Sequence, residues 1–219
     1  MIPQRLFPEH GFVETDPFSF ERHLKQQGFG LVAGTDEAGR GPLAGPVVAA
    51  CVILPDGCDH PGYKDSKQLS AVARAGLRRQ LVEIGAKIGV GIVSPEEIDR
   101  VNILQASLLA MKKSLEDLKV IPDFLLVDGK FPVPICVAQK ALIKGESRSR
   151  SIAAASIIAK EVRDEIMLGY DQQYPQFDFA VHKGYPTRIH RQRLQEFGPC
   201  PIHRRSFKGV REHFENHDG

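Results

Sequence analysis

Two apolar runs in this chain end on acids. Residues 31–35, LVAGT, run into Asp36 and Glu37, and IPDFLLVDG, residues 121–129, reads as a strand that ends at Asp128. Both runs are short, apolar and bounded by glycine, which marks them as strands. In open α/β sheets, functional groups gather at the carboxyl ends of the strands. If the two strands are neighbours, three carboxylates meet there. Like charges so close together need a cation or a shifted pKa to be tolerable.

The remaining pattern supplies the rest of an α/β layer fold. Residues 46–54, PVVAACVIL, are β-branched and apolar throughout, as a buried strand requires. A further strand is expected over 86–93 and another around 135–143. Ser70 caps an expected helix running to about Ile84, with Val72, Leu77, Leu81 and Val82 as its apolar face. Ser94 before Pro95, Glu96 and Glu97 is an N-terminal helix signature, and a second helix is expected over 103–118. Residues 151–170 form an alanine-rich helix whose small side chains let it lie close to a sheet, and a further helix is expected over 187–197. Strands come early and close together, then alternate with helices. The expected sheet is therefore mixed, antiparallel at its start and parallel later. Residues 1–28, with one short helical stretch over 18–27, read as an N-terminal appendage, and 29–219 as a single domain with a basic, helical C-terminal part.

Composition excludes several classes. The chain has 219 residues, 42% hydrophobic and 26% charged, with a formal net charge of only +2, so bulk charge does not mark a nucleic-acid binder. No run reaches the roughly 18 apolar residues of a membrane span, and the N-terminus lacks the apolar stretch of a secretory signal. Cys51, Cys58, Cys136 and Cys200 show no CxxC spacing and read as reduced thiols of a cytoplasmic protein. No HxxxH or Cys/His set points to zinc.

An all-oxygen donor set of carboxylates favours the hard ions Mg²⁺ or Mn²⁺. Two such ions about 3.5–4 Å apart can activate water and stabilise the leaving oxygen of a phosphodiester. An acid after a strand is often only a turn residue, and Asp128 before Gly129 fits that reading when taken alone. For Asp36-Glu37 within DEAGRGP a turn explains less, because it needs neither a second charge nor the glycines and arginine beyond it. The stretch GRGPLAG, residues 39–45, offers backbone that can approach a substrate closely, with Arg40 adding a charge. It is neither a dinucleotide-binding fingerprint nor a Walker A loop, since its third glycine is misplaced and no GK[ST] follows.

At this point the chain resembles a known family. TDEAGRGPLAGPVVAACVIL, KDSKQLS, EIDRVNILQASLLAM, LLVDGK, KGESRSRSIAAASIIAKEVRDEIM, HKGYPT and HRRSF occur in order across residues 30–207, and together they resemble ribonuclease HII, the type 2 ribonuclease H. The resemblance implies a ribonuclease H-like fold, a mixed five-stranded sheet flanked by helices. It implies hydrolysis of the RNA strand of RNA–DNA hybrids and nicking 5′ of single ribonucleotides in duplex DNA, a step of ribonucleotide excision repair, leaving 5′-phosphate and 3′-hydroxyl ends. It places metal ligands at Asp36, Glu37 and Asp128. Where the family has Asp after KG, this chain has Glu146, which keeps the charge and adds a methylene. It also implies that the backbone of Gly39, Arg40 and Gly41 contacts the ribose 2′-hydroxyl, and that Tyr185 packs against the neighbouring sugar. The cofactor implied is Mg²⁺ or Mn²⁺, two ions with substrate bound, in a monomer that does not engage membranes.

Other charged residues have plainer readings. Lys67 is a candidate phosphate contact, and Lys160 a weaker one. Lys183, Arg188, Arg191, Arg193, Arg204, Arg205, Lys208 and Arg211 form a basic C-terminal stretch expected to face a nucleic-acid backbone. Asp164 reads as a structural ion-pair residue, and His182 and His203 as satisfied structural histidines. A junction resolvase of the same fold and a binding module without catalysis are the competing readings. DEAGRGP argues against the first, and four filled acidic positions argue against the second.

Overall fold

The computed structural model describes residues 6–7, 14, 16–58, 62–63, 66 and 69–215. Its centre is one five-stranded sheet: β1 (Val32–Ala38), β2 (Val47–Ile53), β3 (Lys87–Val93), β4 (Phe124–Asp128) and β5 (Ala138–Leu142), in spatial order β3-β2-β1-β4-β5. β1 pairs antiparallel with β2 and β2 with β3, whereas β1–β4 and β4–β5 are parallel. The mixed sheet is the one expected; β1 and β4 are joined through helices, whereas β4 and β5 are joined by the helix-free segment 129–137.

Helices cover both faces. α4 (Ile103–Asp117) lies on one, where its Ala106, Ala110 and Met111 pack with Ala49, Cys51, Leu125 and Val127. α5 (Arg150–Gln173) lies on the other, where Ala153, Ala154, Ala155 and Ala159 pack with Ala50 and Val52. Its small residues let it approach closely, and Gly34 completes the approach. A Cβ on Gly34 would stand 2.2 Å from the Ile152 amide nitrogen, so only glycine lets the start of α5 cross β1.

Two helix starts follow the caps read from sequence, Ser70 and Ser94, and Thr187 is a third cap that the structure adds. Ser70 accepts the Ala73 amide ahead of α2 (Ala71–Glu83), and Ser94 forms a capping box with Glu97 ahead of α3 (Pro95–Val101). Thr187 accepts the His190 amide ahead of α7 (Arg188–Phe197). Each such cap contributes about 1 kcal/mol. The apolar face expected for α2 is narrower than the pattern suggested. Leu81 is buried, but Val72 and Val82 are 84% and 64% exposed, because α2 touches the body along one line only.

The helix α1 (Ser19–Gln26) seats Phe20 and Leu24 against Val32, Phe124, Leu126 and Ile152. Its Glu21 is buried, and one carboxylate oxygen accepts the Ser149 hydroxyl at 2.6 Å and the Ser151 hydroxyl and amide at 2.7 and 3.0 Å. The first turn of α5 is thus capped by a side chain from α1. The shorter α6 (Phe179–His182) and α8 (Glu212–Glu215) complete the C-terminal part with α7. All four cysteines are free, and no helix among the described residues is long and apolar enough to cross a membrane.

Candidate active site

Strand β1 runs three residues beyond the expected end. Its parallel pairing with β4 stops at Thr35↔Val127, but its antiparallel pairing with β2 continues to Ala38↔Val48. Asp36 and Glu37 are therefore strand residues, held by β2 on one side and open on the side where β4 ends at Asp128. Alternation puts Asp36 on the face of Gly34 and Asp128 on the face of Leu126, which is in both cases the α5 face. The third acid is tied to the fourth. Asp128 Oδ1 accepts the Gly145 amide at 2.7 Å, and Glu146 follows in the 3₁₀ turn Gly145–Ser147.

The acids act on one another electrostatically. Burial raises the Asp36 pKa well above the carboxylate range, and the charges of Glu37, Asp128 and Glu146 raise it further. Burial also raises that of Glu37; the Arg40 guanidinium, which donates to Glu37 Oε1 at 3.2 Å, opposes this, and Asp128 reinforces it. The other oxygen of Glu37 is buried without a hydrogen-bond partner among the described residues. Such an atom is costly unless something else occupies it, so the donor set fits a hard cation. Among the described residues, no three His, Cys, Asp or Glu side chains yet form a group that could hold an ion. Asp36 Oδ1 accepts the Glu37 amide at 2.7 Å and Asp128 Oδ1 the Gly145 amide. Holding an ion here requires side-chain rotation.

A cleft of about 370 Å³ opens over these acids. It is lined by Asp36, Glu37 and Asp128, by Gly39, Arg40 and Gly41, and by Tyr185, so most of the candidates named from sequence share one surface. Ser66, Ser156 and Lys160 line it too. Lys160 Nζ donates to Asp164 at 2.6 Å, and Asp164 also accepts from Arg74 at 3.3 Å, the structural ion pairing expected of it. Lys67 lies outside the described residues.

Tyr185 is 40% exposed, with the Arg163 guanidinium 5.8 Å from its ring centre. Behind it stands a chain of buried imidazoles. The Tyr185 carbonyl accepts from His190 Nδ1 at 2.9 Å, so His190 Nε2 carries no proton and accepts from His203 Nε2 at 3.1 Å. His203 Nδ1 in turn accepts the Cys200 amide at 3.0 Å. His182 is satisfied by Phe177 and Gly184. Both histidines read as structural are structural.

One member of the basic stretch is misplaced by a surface reading. Arg204 is completely buried and cannot meet a phosphate, because its guanidinium is consumed by backbone carbonyls of residues 39–46. Arg163 is equally buried and was not singled out from sequence. A signal existed: Ser156, Ala159, Arg163 and Met167 follow helical spacing, and Arg163 falls on that buried stripe. Arg193 is occupied by Asp178 and Glu196, whereas Arg188 and Arg191 face solvent.

The model of the family described as Ribonuclease HII matches residues 33–210. The chain belongs to the ribonuclease HII family. It is 58% identical over 203 residues to Ribonuclease HII of Desulfotalea psychrophila, covering 91% of this chain and 90% of that one. The solved ribonuclease H2 of Pyrococcus horikoshii OT3 superposes with a TM-score of 0.69 at 29% identity, over 85% of this chain and 98% of that one. Bst-RNase HIII, solved in complex with Mn²⁺, shares the fold at 20% identity with a TM-score of 0.67, over 85% of this chain and 70% of that one. Membership of the ribonuclease HII family makes this chain an endoribonuclease of the ribonuclease H class.

Proposed function

We propose that this enzyme hydrolyses the RNA strand of RNA–DNA hybrids and nicks duplex DNA on the 5′ side of a single embedded ribonucleotide, opening ribonucleotide excision repair. The observation that carries the reading is the shared cleft: acids on two parallel strands, a glycine-arginine loop and an exposed tyrosine lie on one surface. Acids alone would fit many phosphodiesterases. The loop and the ring beside them supply a reader for the sugar, and the 2′-hydroxyl is the only sugar difference available.

Asp36, Glu37, Asp128 and Glu146 would hold the cofactor, Mg²⁺ or Mn²⁺, as two ions with substrate bound. The ions supply Lewis acidity at the phosphodiester and neutralise the crowded acids. The raised pKa values of Asp36 and Glu37 and the unpartnered Glu37 oxygen support this assignment. The chain's own groups do the positioning. Arg40, bonded to Glu37, holds that carboxylate in the cleft, and the backbone of Gly39, Arg40 and Gly41 faces the ribose. The Tyr185 ring packs against the next sugar and accepts deoxyribose there. Lys67 and the solvent-facing Arg188 and Arg191 serve the phosphate backbone. Residues 29–219 make up the catalytic domain, with 1–28 as an appendage, and the enzyme works as a cytoplasmic monomer.

The test is a labelled duplex carrying one ribonucleotide, incubated with enzyme and Mg²⁺ or Mn²⁺. A nick 5′ of that residue, with 3′-hydroxyl and 5′-phosphate ends, is expected. An intact duplex with folded, metal-supplied enzyme refutes the reading. Asp128→Asn should abolish cleavage, and full activity in that variant removes the ligand assignment.

A further inference from the structure

We infer that Arg204 is a positioning residue for ribose recognition: its guanidinium draws the carbonyls of the Gly39–Gly41 loop inward and so aims the amides of that loop at the substrate. The inference rests on the reading above that this loop contacts the 2′-hydroxyl.

The geometry is specific. Arg204 Nε donates to the Gly45 carbonyl at 2.9 Å, Nη1 to Arg40 at 3.1 Å, and Nη2 to Gly39 at 2.6 Å and Pro46 at 3.2 Å. Arg163 stands beside it and donates to Pro46 at 3.0 Å and Ala44 at 3.2 Å. Among the described residues neither forms a salt bridge with a carboxylate. Burial and the like charge of Arg163 both disfavour the Arg204 cation, the charges of Asp99 and Tyr185 oppose this, and the carbonyls of Gly39, Arg40, Gly45 and Pro46 supply its direct hydrogen-bond partners. A loop that only had to turn could close with neutral bonds. Here two buried cations face one loop, and Gly39 sits so close that a Cβ would stand 2.2 Å from Arg163 Nε.

What the cation does to the loop follows from peptide geometry. In a trans peptide the C=O and the N–H point in opposite directions. The Gly39 carbonyl shares its peptide with the Arg40 amide, and the Arg40 carbonyl with the Gly41 amide. Turning both carbonyls onto Arg204 turns both N–H groups away from it, on residues that line the cleft. Neither amide donates to another group among the described residues. A cation on the carbonyl also polarises the peptide and strengthens its N–H as a donor. The planar fork of arginine reaches all these carbonyls, which a lysine ammonium cannot do.

The test compares binding of two duplexes, one with a single ribonucleotide and one all-DNA, with Ca²⁺ in place of the activating ion so that strands stay whole. Wild-type enzyme is expected to prefer the ribonucleotide duplex. Arg204→Lys is expected to lose about tenfold of that preference, the size of a hydrogen bond or two, while its all-DNA affinity changes less than about twofold. A wild-type preference fully retained in folded Arg204→Lys overturns the positioning role alone. Equal wild-type binding of both duplexes removes the ribose reading, and the inference with it. Should Arg204→Lys not fold, the wild type decides by NMR. Slow exchange of the Arg204 side-chain N–H protons, with Arg40 and Gly41 amide shifts specific to the ribonucleotide duplex, is expected. Fast exchange, or equal shifts with both duplexes, overturns it.

Discussion

The Asp128 carboxylate accepts the Gly145 amide at 2.7 Å, which ties this acid of the cleft to the turn carrying Glu146. With the turn tethered beside Asp128, substitutions at 146 separate the effect of the charge from that of side-chain length. Glu146→Gln, which removes the charge, should lower kcat by about 100-fold, and Glu146→Asp should stay within about tenfold of wild type. Single-turnover cleavage of the embedded-ribonucleotide duplex checks this. Wild-type rates in Glu146→Gln would exclude the residue from the machinery.

Asp36 is buried, and burial together with three neighbouring acids holds its pKa high. A carboxyl with a raised folded-state pKa contributes stability at pH below its unfolded value and loses it as pH rises through the folded one. At neutral pH without metal it therefore costs stability. Asp36→Asn should raise the thermal midpoint of the metal-free protein, by about 2–4 °C per kcal/mol relieved, while lowering cleavage by about 10³-fold or more. A lower midpoint would count against the electrostatic account.

Glu21 reaches from α1 to cap the first turn of α5, the helix that follows the Glu146 turn. Glu21→Ala leaves buried donors at Ser149 and Ser151 without their acceptor. It should cost about 2–3 kcal/mol, read as a fall in the denaturant midpoint at unchanged m-value. An unchanged midpoint would mean that α1 merely rests on the domain.

The imidazole chain behind Tyr185 works only when neutral. Burial lowers the His190 pKa to about 4 and the His203 pKa to about 3. The unfolded chain, near 6.5, then binds protons that the folded one refuses. This stability is fully present above pH 6.5 and drains away as pH falls toward 4. Thermal midpoints between pH 7 and 4 should fall in wild type. They should fall less steeply in His190→Gln, which starts lower at pH 7. Parallel profiles would show that the decline comes from other groups.

The boundaries of most elements were legible in the sequence because local chemistry sets them. Ser70, Ser94 and Thr187 cap the expected helices, and within the apolar run at 46–54 residues Val47–Ile53 form a fully buried strand. The candidate acids were legible for a similar reason. A charge at the end of an apolar run stands out against its neighbours, and strand order brings such ends together.

What local pattern could not supply was which polar groups the fold would bury. Arg204 lies in a run of surface-like basic residues, Arg163 next to an acid, and Glu21 in a segment outside the resemblance. Each is withdrawn from solvent by partners between 117 and 165 positions away in the chain. Sequence alone determined the mixed sheet, the helix starts and the acids, because those depend on neighbours and periodicity. Tertiary structure alone decided the extension of β1 past Thr35, the cap from α1 and the arginine hold on the Gly39–Gly41 loop. A buried charge is tolerable only where distant backbone groups converge to hydrogen-bond it.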